Sequence, residues 1–229
     1  MIFNFANISH LNAGTVIVDA AAVFLLLGMI YQTALFRRRG RTDDRIFFWM
    51  ILTNILLAVC DGLNYSMEGS PNPLAGKLII AGDTVFTLAF ETFSVLLACF
   101  VDYRAYKDTK GLKKRSMLYA IPAVVTGILV LVNPFTGILF SMDSGNIYHF
   151  GDWYNLIFVA PVIMAIIVFL LLWKTDRFMA VFFVAMIGIR LIAGVIVRGI
   201  SLTGFFFALV LAYTHIRIMN HAFYEEEES

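Results

Sequence analysis

Apolar residues occupy this chain in long unbroken blocks, separated by compact polar connections, with no stretch of alternating polar and apolar positions long enough for a half-buried sheet. A bilayer core of about 30 Å is crossed by about 20 residues of helix. Seven blocks meet that length, at 13–36, 46–64, 77–102, 116–133, 153–173, 178–198 and 202–220. The expected fold is an all-α membrane protein, a seven-transmembrane-helix bundle over residues 1–220, followed by an acidic cytoplasmic tail over 221–229. Met1 to His10 contain no Lys or Arg, so a cleavable signal peptide is not expected and the first span stays in the mature protein.

Composition agrees with this pattern: 60% of the 229 residues are hydrophobic and 14% charged, too few charges for a water-facing globular surface. Net charge is +1, and the basic residues cluster beside the apolar blocks, where they report membrane orientation and not nucleic-acid binding. Arg37, Arg38, Arg39, Arg41 and Arg45 follow the first span, and Arg104, Lys107, Lys110, Lys113, Lys114 and Arg115 follow the third. With Lys174, Arg177 and Arg217 on the same side, against Lys77 and Arg198 opposite, the bias predicts an N-terminus outside and a C-terminus in the cytoplasm. Cys60 and Cys99 fall near opposite faces of the membrane, too far apart to bridge, and read as small buried apolar residues.

Candidate chemistry lies in the ionisable residues inside the spans, which are expensive in lipid and must face the bundle interior, a partner or water. Asp83, Thr87 and Glu91 share one stripe of the third helix, and Asn54, Asp61 and Tyr65 one stripe of the second, with Ala58 between. Arg190, Gly194 and Arg198 form a third stripe, on the sixth helix. At 1.5 Å rise per residue, Asp19 and Asp83 lie roughly 10 Å below the outer surface, Arg190 roughly 12 Å, and Asp61 close to it, with Glu91 deeper. The expected site is an outward-facing cluster of Asp19, Asp61, Tyr65, Asp83, Thr87, Glu91 and Arg190, covered by the 134–153 connection with Tyr148 and His149. Its surplus of acids suits either a proton or a cationic ligand. Pairing of Arg190 with one or two of these acids as pure architecture accounts for any single residue as well, whereas the cluster as a whole points to function.

From Val101 onward a family resemblance enters. The run Val101-Asp102-Tyr103-Arg104, the segment Asn133-Pro134-Phe135-Thr136-Gly137-Ile138-Leu139-Phe140-Ser141-Met142-Asp143 with Asn146-Ile147-Tyr148-His149, and Gly199-Ile200-Ser201 resemble the N-terminal seven-helix sensor region of bacterial membrane diguanylate cyclases and some histidine kinases. Phe150 and Asp152 stand where that family often has arginine and proline. The resemblance implies a sensor in a bacterial cytoplasmic membrane, acting as a homodimer and signalling to a cytoplasmic effector or fused output domain. Glu225 to Glu228 and Ser229 end the sequence where the family continues into a catalytic domain, so an excised sensor or a stand-alone relative is expected.

Other classes fit less well. The last span, 202–220, has no lysine to hold retinal. Neither Gly-x-Ser-x-Gly nor His-x-x-x-His occurs, and His10, His149, His215 and His221 are split between the two sides, so no enzyme activity, metal or cofactor is expected. A small proton-coupled transporter or channel is the alternative, although the halves of the chain show no internal repeat. Pro122 and Pro161 are expected to kink the fourth and fifth helices.

Overall fold

The computed structural model describes residues 3, 9–36, 42–196 and 201–227. Helices α1 (His10–Phe36), α2 (Thr42–Met67), α3 (Pro73–Tyr106) and α4 (Thr109–Thr136) are followed by a two-stranded hairpin, β1 (Phe140–Met142) and β2 (Tyr148–Phe150). A 3₁₀ turn over Tyr154–Phe158 then leads into α5 (Val159–Thr175), α6 (Arg177–Ile196) and α7 (Thr203–Glu227). Among the described residues, five helices, α1 to α5, are long and apolar enough to cross a membrane. Each helix of α1 to α4 outruns its expected apolar block by three or more residues at one end or both, because hydropathy registers the lipid-facing length whereas caps carry the helix into the polar layer. Asn72 caps α3 by accepting from the Leu74 N–H at 2.9 Å, with Pro73 at the first helical position. Asp108 does the same for α4 through the Gly111 N–H at 2.9 Å. Pro161 falls in the first turn of α5, where its missing N–H leaves no intrahelical bond unmade. Of the expected topogenic residues, Arg37, Arg38, Arg39, Arg41 and Arg198 lie outside the described residues.

Packing follows the buried stripes. In α1, Thr15, Asp19, Ala22, Leu26 and Met29 are buried at alternating spacings of four and three, while Ile17, Phe24 and Tyr31 face outward. α5 buries Ala160, Met164, Val168 and Leu172 at every fourth position. α3 occupies the centre, packed on α2, α4 and α5, and α7 closes the ring against α1, α2 and α6. Phe93 of α3 stacks on Phe207 of α7, ring centroids 4.3 Å apart, across the middle of the bundle. Large apolar side chains on the outer faces, such as Leu118, Ile121, Val125 and Ile128 of α4, are exposed, as a lipid-facing surface requires. Cys99 is buried and Cys60 half-exposed, and both are free thiols.

The end of the bundle away from the hairpin is held by polar ties. Asp102 of α3 is fully buried and receives Arg115 of α4 through Nε at 2.8 Å and Nη2 at 2.7 Å, with the Tyr119 hydroxyl donating at 2.6 Å. Arg217 of α7 donates to Asp176, in the α5–α6 link, at 2.6 Å. His215 of α7 stacks on Phe47 of α2 at 5.9 Å and meets Gln32 of α1 at 3.2 Å. Arg104, Asp176 and Arg217 also line a 260 Å³ crevice between α3, α5, α6 and α7 at this end.

Removing one member of a buried ion pair leaves an uncompensated charge, and that costs more than the pair itself contributes. Arg115→Ala should therefore lower stability by about 3 kcal/mol, read by reversible unfolding in detergent, and Asp102→Asn on the same background should restore most of the loss.

Candidate functional site

At the hairpin end the helices diverge around a cavity of 590 Å³. Its polar wall comes mainly from α2, α3 and α6, with Asn12 of α1 and Thr203 of α7 beside them. Asp61, Asn64 and Tyr65 project from α2, Asp83 and Thr87 from α3, and Arg190 from α6. Asn64 and Asp83 meet directly, the Asn64 amide donating to Asp83 Oδ1 at 2.6 Å. Gly82 makes that approach possible, because a Cβ there would collide with the Asn64 side chain. Arg190 donates through Nη2 to Thr203 Oγ1 of α7 at 2.8 Å, and among the described residues no carboxylate forms an ion pair with it. Asp61 and Ser201 both line this wall. Phe86, Phe90, Phe158 and Tyr154 supply the apolar and aromatic remainder.

The connection expected as a loop over 134–153 is ordered structure. α4 runs on to Thr136, Gly137 ends it in the left-handed conformation (φ 64°), and Asn133 bridges to the hairpin by accepting from the Leu139 N–H at 2.7 Å and donating to the Phe140 carbonyl at 2.9 Å. The strands pair antiparallel with Phe140 opposite Phe150, Ser141 opposite His149 and Met142 opposite Tyr148. At the tip, Asn146 (φ 56°) donates to the carbonyls of Ser70 at 2.7 Å and Asn72 at 2.9 Å, and accepts from the Gly69 N–H at 3.0 Å. The hairpin is therefore fastened to the α2–α3 link as a roof over one side of the cavity.

Strand alternation sorts the two expected roof residues. Tyr148 points into the cavity, where its hydroxyl lies within electrostatic reach of the Asp83 carboxylate. Burial, reinforced by that carboxylate, raises the hydroxyl well above its ordinary range and keeps it a donor. His149 points the other way, is exposed, and meets Asp143 at 3.2 Å. It is not a cavity residue.

Of the nine residues expected at the site, Asp61, Tyr65, Asp83, Thr87, Tyr148 and Arg190 line one cavity, and Asp19, Glu91 and His149 do not. Asp19 is only 2% exposed and lies behind the wall, between Gly62 of α2 and Gly204 of α7. Glu91, one turn below Thr87, is 2% exposed, and among the described residues neither carboxylate oxygen has a hydrogen-bond partner. Gly194, expected to share the stripe of Arg190, belongs to α6 as well, and Arg198 lies outside the described residues. Sequence reading missed Asn64, Glu68, Ser201 and Thr203, all cavity-lining. Asn64 and Glu68 were open to discovery, three and seven residues beyond Asp61 on the same helical face. Ser201 stood in the chain only as part of a resemblance motif, and Thr203 carried no signal, because short hydroxyl residues are common at helix ends.

Comparison with known protein families, curated proteins and solved structures gives no match to this chain.

The hairpin turn provides a pH test. The Ile147 N–H first, and then His149, hold the Asp143 carboxyl below the usual carboxylate range. A carboxyl with a lowered folded value contributes order that is present above its unfolded value and lost as pH falls through the folded one. Protection of the Gly145 and Ile147 amides, measured by NMR exchange, should stay constant from neutrality to about pH 4 and disappear only below it.

Proposed function

We propose that the chain is a seven-span sensory domain of a bacterial cytoplasmic membrane, with its N-terminus outside and C-terminus in the cytoplasm, that binds a small extracellular ligand and passes a helix rearrangement to a cytoplasmic effector. The distribution of Lys and Arg supports the orientation, and the motif residues from Val101 to Ser201 support the sensor reading. The observation that carries the proposal is the 590 Å³ cavity at the hairpin end, into which α2, α3 and α6 bring Asp61, Asp83 and Arg190. Among the described residues it is lined by Asp61, Glu68, Asp83 and Arg190 and by aromatic rings, a setting complementary to a small amphoteric molecule.

The output path runs through α7. Thr203 at its start receives Arg190, and Arg217 near its other end grips Asp176 at 2.6 Å. A ligand that pulls Arg190 toward itself competes with Thr203 and biases the position of α7, which two packings differing by a few kcal/mol suffice to convert into a switch.

Glu91 favours a second reading, a proton-coupled carrier. It is buried and, among the described residues, without a hydrogen-bond partner, one turn below the cavity, where a proton path through the bundle would continue.

Thermal-shift screening of the purified chain against small amines and amino acids should yield stabilising ligands, and Arg190→Ala should weaken them about 10- to 100-fold, the loss expected of a charged hydrogen bond, while leaving the fold intact. An unaltered response in Arg190→Ala would place binding elsewhere. In liposomes the sensor gives no electrogenic flux, whereas uptake that Glu91→Gln abolishes would establish the carrier.

A further inference from the structure

At the end of the bundle away from the hairpin, α5 leans on α3, α4 and α6, while α7 packs on α1, α2 and α6. The seam between these two groups is the 260 Å³ crevice at whose walls Arg104, Asp176 and Arg217 stand. Its lining is graded along the helices that run toward this end. Leu97 precedes Arg104 on α3, Val168 precedes Thr175 on α5, and Val210 precedes Arg217 on α7. At 1.5 Å rise per residue, each wall passes from apolar to polar over roughly 10 Å. α6 runs the other way, from Met179 near the α5–α6 link to Phe183, which is buried. Hydrocarbon therefore lines the depth of the crevice, and both guanidinium groups stand at its mouth.

Charge and depth narrow the occupant. The charged side chains lining the crevice are two arginines and one aspartate. Arg217 donates through Nη2 to Asp176 at 2.6 Å, one of the five N–H donors of its planar fork, and the Arg104 guanidinium lies 5.9 Å from the centre of the Phe100 ring, itself part of the wall. Beside Leu172, the exposed Trp173 carries Arg177 over its ring at 5.7 Å, an aromatic and cationic pair of the kind found at headgroup depth. The crevice is smaller than pockets that enclose a drug-sized ligand, so it holds one end of its occupant and leaves the rest outside. A soluble anion leaves the apolar depth unused, and a zwitterionic headgroup brings its own cation against the excess of arginine. Basic pockets between spanning helices suit anionic lipid headgroups. We propose that this crevice is a binding site for an anionic phospholipid, with its phosphate between Arg104 and Arg217 and one acyl chain descending past Val101 toward Val168 and Phe183. Asp176 braces Arg217 from the α5–α6 link. The site needs only a bundle that spans a bilayer, and stands whether or not the sensor reading holds.

The test uses the full chain, delipidated in a neutral maltoside detergent at constant ionic strength. Phosphatidylglycerol at about ten times its dissociation constant should raise Tm by about 3–5 °C, and neither phosphatidylcholine nor inorganic phosphate should match it. Arg104→Gln should weaken phosphatidylglycerol about 10-fold, the loss expected of a charge-assisted hydrogen bond, whereas Lys110→Gln, in the first turn of α4 and outside the crevice, should leave it unchanged. An equal rise with phosphatidylcholine, an equal rise with inorganic phosphate, or equal weakening by Lys110→Gln overturns the site, the last by showing diffuse attraction to surface charge. Should Arg104→Gln fail to accumulate, phosphatidylglycerol bearing a diazirine on one acyl chain must label wild-type protein within 97–104, 168–176, 179–183 or 210–217. Labelling spread evenly over the helices overturns the site as well.

Discussion

An interior that offers no water obliges every buried polar atom to find its partner within the protein, and that requirement organises this bundle. Where it is met fully, as at Asp102 with Arg115 and Tyr119, two helices become a single body. Where it is met only in part, as around Asp19, Asp61 and Glu91, the fold keeps polar capacity that packing alone does not use. The two ends differ in this respect. One end is crossed by satisfied ties, Asp102–Arg115, Asp176–Arg217 and Gln32–His215, and the other opens into a cavity with acids in excess.

Close approach between helices is what turns polar side chains into a constellation. Gly82 admits Asn64 to Asp83, and Gly204 admits Asp19 to α7. Packing on small residues is a main source of helix association where lipid tails are as apolar as leucine. Here the same contacts also decide which carboxylates share a space and which are walled off from it.

Much of the helical skeleton was legible in the chain, since a lipid-crossing helix has a length and a polarity that a sequence shows directly. The stripes on α2 and α3 were legible for the same reason: positions four apart share a face irrespective of what surrounds them. The separation of Asp19 from the cavity was not, because depth along a helix says nothing of its rotation against neighbours, and that rotation depends on Gly62 and Gly204. The hairpin was hidden too. Its strands are three residues each, too short for periodicity to register, and its stability comes from Asn133 and Asn146 bonding to distant backbone. Tyr148 and His149 are neighbours in the chain, but parity along a strand sends adjacent residues to opposite faces.

The fastening of the hairpin divides the mechanical duties around the cavity. Asn146 joins the roof to the α2–α3 link, and Asn133 joins it to the end of α4, so α2, α3, α4 and the hairpin are cross-linked into one rigid sector. On the remaining side a side-chain bond from Arg190 to Thr203 couples α6 to α7. The cross-links around the enclosed volume are therefore unevenly distributed: several side-chain-to-backbone bonds fasten the hairpin side, whereas a lone side-chain bond among the described residues joins α6 to α7, whose far ends meet Asp176 and Arg217.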